Sequence, residues 1–212
     1  MDDYTAYYAL PLNMSYSDIR IFQRKLAEHT APSLLGIKCA CLLSVSKSEC
    51  EVQGNVNLFN RRAAEKGLKI KVLSEGSRGL MLLYSESRLS ACLNVPERRA
   101  ILRRFGYKDD MTLVECLDRL SERLRTISEF PHEIGVFLDY PAEDILGFIE
   151  NNGKNFKLCG CWKVYSDTER AARAFENYDK CRRYLFRKIN MGEDLYHVIP
   201  RFTKFEHGVH GS

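Results

Sequence analysis

Residues 130–167, FPHEIGVFLDYPAEDILGFIENNGKNFKLCGCWKVYSD, decide the fold, because strand, helix and strand patterns follow one another without a break. Glu133 to Leu138 is a short apolar run and reads as a strand. Ala142 to Asn151 reads as a helix ending in Asn-Asn-Gly, and Lys157 to Tyr165 as a second strand. That order and length predict a right-handed crossover joining two parallel strands. Along the second strand, alternation places Cys159, Cys161, Lys163 and Tyr165 on one face.

Downstream, Thr168 to Ile189 forms a long helical pattern, with Ser166 and Glu169 at capping-box spacing. Upstream, Ser17 to His29 is an amphipathic helix, and Pro32 is expected to stop it, leaving His29 at its terminus. Gly36 to Val45 reads as a buried strand, and Glu49 to Lys66 as a helix ending at Gly67. Leu68 to Leu73 and the returning LMLLYS run form an antiparallel hairpin. Three helical patterns follow at Ser87 to Leu93, Pro96 to Phe105 and Thr112 to Ile127. The expectation is an α/β fold: a mixed sheet of about five strands flanked by helices, with a mid-chain helical insertion and a long C-terminal helix. Residues 1–190 read as a single α/β domain and residues 191–212 as a poorly patterned C-terminal tail.

The 212 residues are 45% apolar, enough for one substantial core. No apolar run approaches the roughly 18 residues that a membrane-spanning helix needs. The amino terminus carries two aspartates where a signal peptide needs positive charge, so secretion is not expected. The eight cysteines are spread through helix and strand patterns and read as reduced thiols of a cytoplasmic protein. A formal charge of +4 is too mild for a nucleic-acid binder.

Three segments carry a family resemblance. They are Pro131-His132-Glu133, the HTAPSLLGIK run from His29 to Lys38, and Cys159-Gly160 with Trp162 to Tyr165. In these the chain resembles an uncharacterised bacterial family, domain of unknown function 3793. It departs where Asp139 stands in a Leu-Gly-Tyr motif, where Thr30 replaces a common cysteine, and where Cys161 replaces an aromatic residue. The resemblance implies a shared fold and, through neighbouring genes in similar proteins, a link to iron or redox metabolism.

Several constellations are chemically capable. His132 can move protons near neutral pH, Glu133 can act beside it, and Cys159 can serve as a nucleophile activated by nearby Lys163. His132, Glu133 and Cys159 are therefore the candidate catalytic residues. If their strands were neighbours, Cys39, Cys41, Cys159 and Cys161 would bring four sulfurs together. Pairs of C-x-C inside strands match zinc and iron–sulfur knuckles poorly, so no metal ligand is assigned and the cofactor is left open. The carboxyl ends of parallel strands are a usual place for a ligand, and a pocket lined by His29, Tyr140, Lys163 and Tyr165, with His132, is expected there. Glycine-rich phosphate loops are absent. Basic clusters at Arg98, Arg99, Arg103, Arg104 and Lys108, and at Lys180, Arg182, Arg183, Arg187 and Lys188, suit an acidic partner. The favoured reading is a binding or accessory protein for an unknown small ligand or an acidic redox protein. The alternative is a small Cys/His-dependent enzyme using His132 with Cys159 or Glu133.

Overall fold

The computed structural model describes residues 14–127 and 129–201. The first helix, α1 (Tyr16–Leu34), opens with a capping box between Ser15 and Asp18. It leads into strand β1 (Ala40–Ser46) and helix α2 (Val52–Arg62), which a short 3-10 turn extends to Gly67. Gly67 holds φ +68, the left-handed geometry that closes a helix.

Strands β2 (Leu68–Ser74) and β3 (Arg78–Ser85) form the expected antiparallel hairpin. Strand β1 adds to the other side of β3, also antiparallel, with Leu42 opposite Leu82. The sheet order is β1-β3-β2. Because β3 is central, both of its faces are buried. Met81 and Leu83 enter one apolar cluster, and Leu82 and Tyr84 enter another.

Helices cover both faces. On one side α1 and α2 pack with α8 (Thr168–Asn190) and α9 (Leu195–Val198) through Leu26, Phe59, Leu185 and Leu195. On the other lie α3 (Glu86–Leu93), α4 (Pro96–Arg104), α5 (Leu113–Thr126), α6 (Ile134–Phe137) and α7 (Ala142–Glu150). Leu89, Ile101, Leu117, Phe137 and Ile145 fill that second core. The result is a helix–sheet–helix sandwich whose sheet is smaller than the expected five strands.

The expected parallel crossover is absent from the described residues. Glu133 to Leu138 holds the single helical turn α6 with its two flanking cap residues, nucleated by bonds from Ile134 N–H to Pro131 O, from Gly135 N–H to His132 O and from Val136 N–H to Glu133 O. All six residues from Glu133 to Leu138 are buried, so neither period two nor period 3.6 could show in the sequence. Lys157 to Tyr165 is likewise not one strand. It folds into a small hairpin, β4 (Leu158–Cys159) and β5 (Lys163–Val164), around Gly160, Cys161 and Trp162. Cys159 therefore faces Lys163 across the ladder, and the four residues expected on one strand face do not share one. A Cβ at Gly160 would collide with the Phe175 ring on α8, which explains the glycine at that turn.

Two local expectations also change. Helix α1 runs on through Pro32 to Leu34, because the proline sits in its last turn where only one backbone bond is lost. The cap of α8 is Asp167, which accepts the Arg170 N–H, while Ser166 is engaged elsewhere. Of the segment after Met191, Leu195 and Tyr196 are buried in the first core, and residues 202–212 lie outside the described residues.

Candidate functional site

Where α1 hands over to β1, Lys38 is buried with 6% of its surface exposed. Its Nζ lies 4.9 Å from the centre of the Tyr140 ring and 5.3 Å from that of Tyr178. Among the described residues, no carboxylate or hydrogen-bond acceptor meets this ammonium. The two aromatic faces partly compensate it, by about 2 kcal/mol in a dry site. The ammonium is therefore set against ring faces rather than against a counter-ion.

An aromatic wall surrounds Lys38. Tyr140 stacks on Trp162 at 5.1 Å, and Trp162 meets Phe175 edge-on at 4.6 Å and Tyr178 at 6.4 Å. The Tyr140 hydroxyl donates to Cys161 O over 3.1 Å. Burial, reinforced by the nearby thiols Cys41 and Cys161, pushes the Tyr140 phenol up. Burial does the same at Tyr178, joined there by Asp139 and the same thiols. Both phenols thus stay neutral. Arg182 reaches in from α8 to donate to Cys161 Sγ over 3.5 Å, and Ser33 donates to Cys41 Sγ over 3.0 Å.

Asp144, in the first turn of α7, fixes the hairpin against this wall. Its Oδ2 accepts the Trp162 indole N–H at 2.7 Å, and its Oδ1 accepts from Tyr165 N–H, Ser166 N–H and Ser166 Oγ, each at 2.8 Å. Burial pushes this carboxyl up, but the bonds from Tyr165, Trp162 and Ser166 outweigh it and hold the group below its ordinary value. The sequence reading missed both Lys38 and Asp144. A lysine inside the apolar run GIKCACLL was the available signal for the first, whereas Asp144 looks like any acidic residue in a helix's first turn.

A second polar cluster lies beside the nest. Ligand atoms of Cys39, Cys92 and Asp139 all fall within 4.8 Å of one another. Cys92 Sγ is 3.6 Å from Asp139 Oδ1. Arg98 donates to Cys92 Sγ and pairs with Asp139 at 2.7 Å. The Cys92 thiol and burial together push the Cys39 thiol up. Asp139 holds φ +59, a left-handed conformation that explains why a glycine suits this position.

The sequence-predicted residues scatter around these centres. Tyr140 belongs to the Lys38 nest. His29 is exposed on α1 beside Glu28, at 3.8 Å, and shares no hydrogen bond, ion pair or ring contact with His132. Glu133 is fully buried, paired with Arg123 and bonded by Tyr107 at 3.4 Å. The His132 ring meets Phe148 at 5.2 Å, and Lys163 lies over the same ring while donating to Gly153 O. Cys159 is exposed. Tyr165 packs over Gly147, where a Cβ would come within 2.5 Å of its ring, and its buried hydroxyl has no partner among the described residues. The four sulfurs of Cys39, Cys41, Cys159 and Cys161 do not form the grouping expected of neighbouring strands; Cys39 joins Cys92 instead.

Among the described residues, five of the ten residues in the basic clusters pair with carboxylates. Arg98 engages Asp139, Arg103 Asp109, Lys180 Glu176, Arg182 Asp179 and Lys188 Glu193. Arg183 lines an open groove of about 520 Å³ between α1 and α8 with Ile21, Arg24, Lys25 and Phe186. No described helix is long and apolar enough to cross a membrane. A family model described as "Protein of unknown function (DUF3793)" matches residues 26–199. No curated protein and no solved structure matches the chain.

Proposed function

We propose, from the premise that the chain belongs to the DUF3793 family of proteins of unknown function, that it is a binding protein taking a small aryl anion beside Lys38. The observation that carries this reading is the Lys38 ammonium, set against two tyrosine faces with no acceptor among the described residues. An anionic oxygen would supply the missing partner. The Tyr140, Tyr178 and Trp162 rings would stack on a flat ligand and exclude water from the new ion pair. The neutral Tyr178 phenol can also donate to such an anion, whereas the Tyr140 proton is committed to Cys161 O.

The alternative, a Cys/His-dependent enzyme using His132 with Cys159 or Glu133, has less support. Glu133 is committed to Arg123 and Tyr107, and no bond joins His132 to Cys159 among the described residues.

The chain has one tryptophan, and it stands in the nest, so its fluorescence reports occupancy directly. Titration with benzoate, phenyl phosphate and inorganic phosphate should give a saturable change with at least one aryl anion, lost in Lys38→Met. A response that survives Lys38→Met, or none from either aryl anion, removes the support for this reading.

A further inference from the structure

We propose that Cys39, Cys92 and Asp139 form a binding site for a thiophilic divalent metal ion, of which Zn²⁺ is the natural occupant by ligand chemistry. The proposal stands on its own observation and does not depend on the Lys38 nest holding a ligand.

Three elements supply the three ligands. Cys39 immediately precedes β1, Cys92 is in the last turn of α3, and Asp139 follows α6. Cys39 and Cys92 are anchored in the second core, buried among Leu82, Leu89 and Phe137, and Asp139 lies at its edge. The donor atoms lie within 4.8 Å of one another. Around a tetrahedral zinc with Zn–S of about 2.3 Å and Zn–O of about 2.0 Å, ligand atoms stand roughly 3.5 Å apart. The Cys92 Sγ to Asp139 Oδ1 separation of 3.6 Å already has that size. The remaining closure is one that cysteine and aspartate rotamers can supply.

Donor type selects the ion. Two sulfurs disfavour Mg²⁺ and Ca²⁺, which require oxygen ligands, and favour Zn²⁺ or a similar borderline-soft ion. Three protein ligands leave a fourth position for water or a small ligand, and the partly exposed Asp139 carboxylate marks the side from which it is reached.

Arg98 fits the same arrangement. Its guanidinium donates to Cys92 Sγ and Asp139 Oδ1, as an outer-shell residue does when it orients a thiolate and a carboxylate toward a metal. Two thiolates and a carboxylate are balanced by a divalent ion together with this guanidinium, so the buried site carries no net charge when filled. Without the ion, two neutral thiols and the Arg98–Asp139 pair are also balanced, so the apo site tolerates burial.

The test uses the full chain, reduced and freed of metal by chelation, then titrated with Co²⁺ and back-titrated with Zn²⁺. One Co²⁺ per chain should bind with a thiolate-to-cobalt charge-transfer band and the intense visible absorption of a tetrahedral site, and Zn²⁺ should bleach both. Cys92→Ser should lose the charge-transfer band, Cys159→Ser should keep it, and Arg98→Gln should bind about 10-fold more weakly. Asp139→Gly covers the chance that a core cysteine variant misfolds. Glycine suits the left-handed backbone there, so this variant should fold normally yet lose tetrahedral cobalt binding. No charge-transfer band in the wild-type protein, a band that persists in Cys92→Ser, or a Cys39–Cys92 disulfide forming in place of ion uptake would overturn the proposal.

Discussion

The Trp162 indole donates to Asp144 Oδ2 over 2.7 Å and thereby ties the tip of the β4–β5 hairpin to the first turn of α7. Asp144 accepts three further bonds from Tyr165 and Ser166, so one carboxylate satisfies four donors around the aromatic wall. Asp144→Ala should cost about 2 kcal/mol, because it leaves four part-buried donors without their acceptor. Urea unfolding checks this. A loss below about 0.5 kcal/mol would show that the bonds are incidental.

The same carboxyl sets a pH dependence. Its folded-state value lies below the ordinary one, so its contribution is fully present above the unfolded pKa of about 3.9 and is lost as pH falls through the folded value. Wild-type stability should therefore drop on acidification below about pH 4. Asp144→Asn, less stable at neutral pH, should show a shallower acid limb. Parallel limbs for the two proteins would refute the assignment.

Lys38→Met should abolish the proposed ligand response at little cost in stability. The apolar chain of similar length keeps the packing and gives up two cation–π contacts, so the change should stay within about 1 kcal/mol, roughly 2–4 °C in Tm for a chain of this size. A Tm lowered by more than that would mean that the fold itself depends on the ammonium.

Tyr165→Phe should be neutral or stabilising by up to about 1 kcal/mol, since it removes a buried hydroxyl that has no partner among the described residues. Gly147→Ala, by contrast, should destabilise by about 1–3 kcal/mol, because its methyl would press on the Tyr165 ring at 2.5 Å. Thermal melts of both variants decide the matter.

Cys159 is exposed, whereas Cys39 and Cys92 are buried, so Cys159 should be alkylated by iodoacetamide well before either. Alkylation confined to Cys159 should leave the Trp162 fluorescence titration unchanged. A titration abolished by that modification would return the hairpin thiol to the centre of the function.

Much of the fold was legible where one periodicity dominates. The β2–β3 hairpin alternates visibly from Leu68 to Val72, Gly67 ends its helix, and Pro96 begins α4. Legibility failed where burial is uniform or the chain reverses in three residues. Glu133 to Leu138 is buried all round, so a helical turn and a strand look alike in the sequence. Lys157 to Tyr165 keeps strand-like composition through a turn that only Gly160 betrays.

Of the residues around Lys38, Tyr140 is the one that the sequence singled out. Lys38 and the trio Cys39, Cys92 and Asp139 were not legible, because their members come from distant segments and no spacing links them. The charge of Glu133 suggested chemistry, but its cancellation by Arg123 appears only in three dimensions.

The Lys38 nest takes its lysine from the turn after α1, one wall from Tyr140 after α6 and another from Tyr178 in α8. On a ribosome, the lysine emerges 102 residues before Tyr140 and 140 before Tyr178, so it must wait for its aromatic partners. Until α8 docks on α1, Lys38 remains a hydrated cation on an unfinished sandwich. The nest thus closes only when α8 docks, in the same step that brings Leu185 and Ile189 into the first core.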